Sequence, residues 1–427
     1  MSVTDRLVPA DFREVITQPI RFLYTSVFLG CTGMGLTLSM FVVYLHNVRG
    51  HSTAFAAGLL AASSLIGVLL TPVWGTAIDR FGPWPVAMFS MSANSLALVA
   101  WAFSRSTPAT LVSAVALACV GGGSWGPNAV LLSRLVPSEH RQRAFGLNFM
   151  IVNLAIGFGA LASAALVDLH HPATFTALYL LNAGTVVAAA LSYSRLRQWG
   201  GPFTEHLDDD VKAAEGWEVV IGDKRFLRYI FASLILSLGG YAALDSGFSL
   251  FAVNNLHVSV HAIGLILFFN TSTIVILQFW VVNKIQGRSR ARILGLVGGL
   301  WVIYWLVLAG SLALTPTTAV AALCVATVIF AVGEMLLQPV GSALVNDMAP
   351  EHLRGRYNSA AGTTWGMAGS IAPLVTSLYF TSGAGDWWPL GTAVTAGVAC
   401  ALMLDLRHRL SPAEDGREKA LTVETEN

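Results

Sequence analysis

The sequence predicts an all-α integral membrane protein with twelve transmembrane helices in two pseudo-symmetric six-helix halves. Three observations predict this fold class: the composition, the length of the apolar runs and the placement of the basic residues. Of the 427 residues, 55% are hydrophobic and only 11% are charged, and the mean hydropathy is +0.64. Soluble domains carry about 25% charged residues, so this composition excludes a water-soluble globule. The net charge of +1 gives no support for nucleic acid as a partner.

Twelve apolar runs are long enough to cross the hydrocarbon core of a bilayer as helices, which takes about 20 residues each. They cover approximately 22–45, 53–78, 84–104, 108–133, 144–168, 173–194, 227–252, 260–282, 292–314, 318–345, 358–380 and 387–404. The runs are apolar on every side of a helix and do not alternate residue by residue. They therefore favour bundled helices over the strands of a membrane barrel.

The basic residues predict the orientation, because Lys and Arg are concentrated in cytoplasmic loops. If the N-terminus is cytoplasmic, only Arg49 and Arg105 among the 25 Lys and Arg residues fall on the outer side. A wrong number of spans would scramble this alternation. We therefore predict a multi-pass membrane protein with both termini in the cytoplasm.

Polar segments divide the chain into four parts. We predict an N-terminal six-helix half at 1–194, a cytoplasmic linker at 195–226, a C-terminal six-helix half at 227–405 and a cytoplasmic tail at 406–427. The acidic run 208–210 in the linker is expected to be a solvated loop. The charged tail is expected to be frayed.

The two halves also resemble each other in sequence. Pro137, after the fourth run, is followed by arginines at +4 and +6, and Pro350, after the tenth run, is followed by arginines at the same two offsets. Parallel repeats of this kind, with a binding site where the repeats meet, are typical of secondary transporters.

The segment after the second run resembles a family signature. Gly75-Thr-Ala-Ile-Asp79-Arg80-Phe-Gly82 is similar to the G-x-x-x-D-R-x-G motif of the major facilitator superfamily, in the loop where that family carries it. Gly333-Glu334 with Pro339, and Pro350 with the segment 354–357 (Arg-Gly-Arg-Tyr), are similar to its twelve-span drug:proton antiporters. The resemblance implies alternating access driven by a proton gradient.

Three departures from the antiporter pattern leave an alternative open. Pro83-Trp84-Pro85 stands where basic residues usually follow the motif, the fourth run contains no Arg, and the fifth run contains Gly157-Phe158-Gly159 without a Gly-Pro pair. The missing Arg of the fourth run and the missing Pro of the fifth favour a uniporter, symporter or exporter of a nutrient or metabolite, such as a sugar, an amino acid or a lipid precursor.

Two acids lie well inside apolar runs, Asp245 in the seventh and Glu334 in the tenth. A charge at the centre of a bilayer costs about 2.5 to 3.5 kcal/mol on insertion scales, so such acids mark functional sites. A carboxyl group can be neutral when secluded and ionised when wetted. We therefore predict that both acids carry protons, although hydrogen bonding between helices is the structural alternative.

Polar and aromatic residues predict a substrate cavity. By analogy with the superfamily, spans one, four, seven and ten line it, and span eight adds two amides. The candidates are Tyr24, Thr32, Trp125, Asn128, Tyr241, Asn270, Gln278 and Gln338. Aromatic rings beside acids and amides suit lipophilic or cationic molecules. Trp387 and Trp388, at a span boundary, are expected to be interfacial anchors.

The cytoplasmic ends of the spans predict a gate. We expect Asp79 to accept hydrogen bonds from free N–H groups at the start of a neighbouring helix and Arg80 to pair with an acid. The basic repeats add Arg141, Arg143, Arg354 and Arg356 to this gate.

The leading functional hypothesis is a proton-coupled exporter of lipophilic or cationic drug-like compounds in the inner membrane of a bacterium. The glycine run 121–126 matches G-x-G-x-x-G but lies in an apolar run, so it predicts close helix packing, as do Gly362 and Gly366. The sequence shows no ATP-binding loop, no metal-ligand spacing and no nucleophile with a base, so we expect neither an enzyme nor a cofactor. A receptor or scaffold is a less favoured hypothesis. The expected partners are a small-molecule substrate, protons and membrane lipid, with the chain as a monomer.

Overall fold

Helices form nearly all of the described structure. The computed structural model describes residues 10–38, 40–41, 44–168, 171–203 and 216–417. Within these ranges the long helices are α1 Gln18–Leu38, α2 Thr53–Phe81, α3 Pro83–Phe103, α4 Thr107–Leu135, α5 Ser138–Leu166, α6 Ala173–Tyr193, α7 Lys224–Asn254 (interrupted after Leu238), α8 Val260–Ile285, α9 Arg290–Gly310, α10 Pro316–Met348, α11 Arg354–Thr381 and α12 Trp388–Leu406.

Each predicted run coincides with one of these helices. Of the helices in the described ranges, ten are long and apolar enough to cross a membrane. The other two, α1 and α11, occupy the first and eleventh predicted runs. The all-α, twelve-helix fold class is therefore confirmed. The acidic run 208–210 lies outside the described residues.

Hydroxyl side chains determine where several helices begin. Ser52, Ser106, Ser259, Ser289 and Thr315 each accept a hydrogen bond from the backbone N–H three residues further on. Each cap satisfies one of the free N–H groups of a helix start. These caps place the first residue of each helix close to the N-terminal end of its apolar run.

The described chain forms two compact units. The first contains α1 to α4, most of α5, α6 and the first turns of α11, while the second contains residues 141–147 of α5, α7 to α10, the rest of α11 and α12. The predicted boundaries at 194, 226 and 405 stay a prediction.

In the first unit, α4 packs closely through its glycines. An added Cβ would lie 2.9 Å from Trp74 at Gly122, 2.8 Å from Ser90 at Gly123 and 2.8 Å from the Ile78 side chain at Gly126. Close packing by the glycine run is thus confirmed at these positions. At Gly362 of α11 the same prediction is wrong, because an added Cβ would meet no atom within 4 Å.

In the second unit, aromatic rings fill the space between α9, α10 and α12. Trp301 stacks on Phe330 with ring centroids 4.8 Å apart, and Trp305 meets Trp388 edge to face at 5.2 Å. The Trp388 side chain is 1% exposed and Trp387 is 66% exposed. The prediction of an interfacial anchor is therefore wrong for Trp388, whose ring points into the core at the start of α12.

Candidate functional site

The break in α7 positions the first group of predicted site residues. The helix stops at Leu238 and resumes at Tyr241, and a π-helical turn follows at Leu244–Phe248. Trp301 fills the space beside Gly240 so closely that a Cβ there would lie 1.9 Å from its ring, while Trp305 donates to the Gly239 carbonyl at 2.7 Å. π-helical turns and interrupted membrane helices are frequent at binding sites, and this turn contains Asp245.

Glu334 lies on α10 in the same unit as this break. Its side chain is 5% exposed, and it accepts a hydrogen bond from the Asn270 amide on α8. The Tyr241 hydroxyl lies beside Glu334 and Gln338. No ion pair found among the described residues involves Glu334. The structure therefore surrounds this buried acid with neutral polar groups.

Aromatic rings surround Tyr241, the residue that lies beside Glu334. The ring of Tyr241 lies 4.7 Å from Trp365, 5.5 Å from Trp301 and 6.1 Å from Phe330, measured between centroids. The Trp365 side chain is 43% exposed. Rings beside a carboxyl group can attract an organic cation through cation–π contact and charge.

The other predicted residues of this unit differ in accessibility. Asp245, in the π-helical turn of α7, is exposed. Gln278 is fully buried and donates from Nε2 to the Met335 carbonyl at 3.1 Å, so it joins α8 to α10. That Gln278 lines the substrate cavity stays a prediction. Tyr241, Asn270 and Glu334 therefore form the hydrogen-bonding part of this site.

A second site lies inside the first unit, between α1, α3, α4 and α6. This cavity of about 260 Å³ is lined by Trp125 and Asn128, as predicted for a cavity, and by polar residues that the sequence analysis missed, namely Ser26, Asn94, Ser124 and Asn182. Its lining contains no Asp, Glu, Lys, Arg or His. The Oδ1 atom of Asn128 and the Oγ atom of Ser26 are buried without a hydrogen-bond partner. The cavity therefore suits an uncharged, hydrogen-bonding group.

Two predicted cavity residues of α1 lie elsewhere. Tyr24 is buried outside this cavity lining. Thr32 donates to the Phe28 carbonyl of its own helix at 2.8 Å. Asn94 and Asn182 are polar residues inside apolar runs, and this is a signal that could have identified them. Which helix face they occupy depends on packing, which the sequence pattern does not show.

The third site surrounds Asp79 at the end of α2. Its Oδ1 accepts from the Gly355 N–H at 2.6 Å, and its Oδ2 accepts from the Arg356 N–H at 3.1 Å. The Arg356 guanidinium adds an ion pair at 3.1 Å. These N–H groups open α11, so the carboxylate lies at the positive end of a helix dipole. This is the contact with a helix start that the sequence predicts for Asp79.

The glycines of the motif permit this close approach. A Cβ at Gly355 would lie 2.5 Å from Oδ1 of Asp79, and one at Gly75 would lie 2.7 Å from the Ser359 hydroxyl. Gly82 has a φ of +91°, and a Cβ there would lie 2.3 Å from the backbone of Gly201. Gly75 and Gly355 therefore let α2 and α11 come close enough for Asp79 to bond, whereas Gly82 lies against the backbone of Gly201.

The basic gate candidates have several kinds of neighbour. Arg80 is exposed, and its guanidinium lies 5.4 Å from the centroid of the Phe81 ring. Among the described residues Asp79 pairs with Arg356, and the pairing of Arg80 with an acid stays a prediction. Arg354 pairs with Glu351 at 3.2 Å. Arg143 has interactions within the protein.

Arg141 forms an ion pair with an acid that the sequence did not indicate, Asp347. Asp347, at the end of α10, pairs with Arg141 and also with Arg290 at 2.7 Å from the start of α9. Asp347 lies beside the predicted tenth run, where a charge is ordinary, so the sequence gives no sign that its side chain is largely enclosed. Only the fold brings the three side chains together.

Comparison with known proteins identifies the family of this chain. The model of the Major Facilitator Superfamily matches residues 23–373 and again 230–425. The uncharacterized MFS-type transporter YhjO of Bacillus subtilis (strain 168) is 22% identical over 92% of this chain and 95% of its own length.

Two further relatives have named activities. A Na⁺, Li⁺, K⁺/H⁺ antiporter of Planococcus maritimus is 22% identical over 78% of this chain and 82% of its own length. A class H tetracycline resistance protein of Pasteurella multocida is 26% identical over 35% of this chain and 38% of its own length.

Among solved structures, a bacterial homologue of the iron transporter ferroportin in an outward-facing state superposes with a TM-score of 0.73 at 16% identity, covering 92% of this chain and all of the other. That likeness concerns the fold alone. With twelve helices, the Asp79 motif and a family match over most of its length, the chain belongs to the Major Facilitator Superfamily.

Proposed function

We propose that this membrane transporter exports lipophilic, cationic drug-like compounds in exchange for protons, by alternating access. One observation carries the proposal: Glu334 is buried, accepts a hydrogen bond from a neutral amide and lies beside Tyr241, whose ring contacts Trp365. A buried carboxylate needs a neutralising partner, which can be a proton or a cation. A proton and an organic cation therefore compete for the same group.

Competition for one site gives exchange through linkage, without a separate path for protons. The cation leaves when a proton replaces it, and the empty site returns protonated. Asp245, which is exposed, would pass protons between Glu334 and water. The relatives named as a cation/H⁺ antiporter and as a tetracycline resistance protein support this proposal by similarity.

The proposed orientation places both termini, and the Asp79 contacts, on the cytoplasmic side of the inner membrane. This orientation is inferred from the distribution of Lys and Arg along the sequence, because these residues are concentrated in cytoplasmic loops. In this orientation the bonds from Asp79 to the start of α11 close the cytoplasmic gate. They must break each time the substrate site opens inward.

Efflux of a fluorescent lipophilic cation from proteoliposomes tests the proposal. With an imposed proton gradient, we expect export that collapses on adding a protonophore and falls at least about tenfold in Glu334→Gln, because the neutral amide cannot exchange a proton for a cation. Glu218→Gln, which changes an exposed acid, is the matched control and should transport like the parent. Gradient-independent export, or unchanged export in Glu334→Gln, would contradict the proposal.

One observation favours a second candidate, a carrier of a neutral metabolite. The lining of the cavity in the first unit combines apolar side chains with hydroxyl and amide groups and contains no charged residue. A mainly apolar site with a few placed polar groups is typical for small uncharged ligands. Counterflow of a panel of neutral sugars in the same proteoliposomes separates the two candidates. Sugar exchange that organic cations do not inhibit would favour the second candidate.

A further inference from the structure

The segment after α12 is folded against the protein, contrary to the expectation of a frayed tail. Within the described part of this segment, which ends at residue 417, Glu414 is 9% exposed and Asp415 is fully buried. Acidic residues are rarely buried unless they are paired. We call residues Ser411–Arg417 the tail segment.

Asp415 caps the start of α9. Its backbone carbonyl accepts from the Arg290 N–H at 3.0 Å, and its Oδ1 accepts from the Ala291 N–H at 2.9 Å. The Arg417 side chain pairs with the same carboxylate at 2.5 Å. The first N–H groups of a helix have no partner within the helix, so the tail segment satisfies donors that would otherwise need water.

Glu414 connects the tail segment to α7. Its two carboxylate oxygens accept from the Arg225 guanidinium at 2.9 and 3.1 Å, and Oε2 also accepts from the backbone N–H and the hydroxyl of Ser411, each at 2.8 Å. The carboxylate is therefore held by its own turn as well as by α7. Charge-assisted bonds of this kind are about twice as strong as neutral ones.

Arg290 passes the contact on to Asp347. Its Nη1 donates to the Glu414 carbonyl at 2.8 Å and pairs with Oδ2 of Asp347 at 2.7 Å, in a position where the side chain is only 5% exposed. Oδ1 of Asp347 bonds Arg141. A continuous chain of polar contacts thus runs from the tail segment through α9 and α10 to the start of α5.

We propose that the tail segment is an intramolecular latch, which holds Arg290 on Asp347 and thereby keeps Arg141 bonded at the start of α5. The latch stabilises the conformation described here. Its release lets water reach Arg290 and loosens the Asp347–Arg141 pair, so the conformational change of the transport cycle becomes easier. The effect on transport rests on the proposed function, whereas the effect on local structure does not.

Hydrogen exchange of the full-length protein tests the latch independently of transport. In the double variant Glu414→Gln/Asp415→Asn, we expect faster amide exchange at 290–293, at 344–348 and at 141–145. The matched control is Asp405→Asn, which should leave exchange in all three regions unchanged. Asp405 lies ten residues before Asp415, is exposed and pairs with Arg409. Faster exchange at 290–293 alone would overturn the proposal, because the tail segment would then be only a helix cap.

Transport measurements add a second readout. Efflux of the fluorescent cation is expected to be about fivefold faster in the double variant, since the loss of one net hydrogen bond changes a rate by roughly that factor. Unchanged or slower efflux, with all three regions exchanging faster, would overturn the control of transport by the latch. If the parent protein moves no cation, the proposed function fails while the exchange measurement still decides whether the latch exists. If the double variant does not fold, the single variant Glu414→Gln replaces it in both the exchange and the efflux measurements.

Discussion

A single carboxylate, Asp79, joins the ends of two helices that lie far apart in sequence. Three donors hold it: two backbone N–H groups of α11 and the Arg356 guanidinium. The side chain is 6% exposed, so its charge has lost most of its water and depends on these partners. Removing a partner of a desolvated charge is far more costly than losing an exposed ion pair.

Asp79→Asn tests this dependence at the residue scale. The amide keeps the shape of the side chain but loses its charge, and its NH₂ group would face donors instead of acceptors. We expect normal membrane insertion and cation efflux at least about tenfold slower, as measured in proteoliposomes, because one state of the cycle loses about 1 to 3 kcal/mol. The control is Asp405→Asn, and parental efflux in Asp79→Asn would exclude the gate.

Gly355 offers a matched pair of substitutions on α11. An alanine at Gly355 would place Cβ 2.5 Å from Oδ1 of Asp79, whereas an alanine at Gly362 would meet no atom within 4 Å. We therefore expect Gly355→Ala to reproduce the transport defect of Asp79→Asn and Gly362→Ala to transport like the parent. Equal efflux in the two alanine variants would show that close approach at Gly355 is not required.

At the scale of the element, the interruption of α7 decides where Tyr241 and Asp245 lie. Trp301 fills the space that a side chain at residue 240 would need. The break is therefore held by packing and does not depend on helix propensity alone. Since Tyr241 follows the break directly, its position beside Glu334 depends on the same contact.

Gly240→Ala tests the break, with Gly264→Ala on α8 as its control. The added methyl would lie 1.9 Å from the Trp301 ring, while at Gly264 no atom lies within 4 Å. Overpacking of this kind costs about 1 to 3 kcal/mol. We expect a lower midpoint of thermal unfolding in detergent and weaker cation binding for Gly240→Ala only. Equal unfolding midpoints for the two variants would contradict the packing argument.

At the scale of the whole molecule, the fold could be predicted because hydropathy is a local property of the sequence. The positions of the twelve helices coincide with the twelve apolar runs. Each span must be apolar over about 20 residues, whatever it contacts. The contact of Asp79 with a helix start could also be predicted, because a short motif carries it.

Other features depend on contacts that no local pattern encodes. Asp347 is ordinary in sequence, yet it bonds both Arg141 and Arg290. Trp388 resembles an interfacial anchor by position, but its ring points inward. The tail segment resembles a solvated terminus by composition, although its acids cap α9 and bond Arg225. In each case the partner is distant in the chain and only packing selects it.

The central claim is that a proton and an organic cation exchange at Glu334. Simultaneous recording of internal pH and cation efflux in proteoliposomes tests it most directly. We predict that an outward cation gradient alone drives protons inward in the parent protein and in Glu218→Gln, and that Glu334→Gln shows neither flux. Cation efflux without a matching proton influx would contradict the claim.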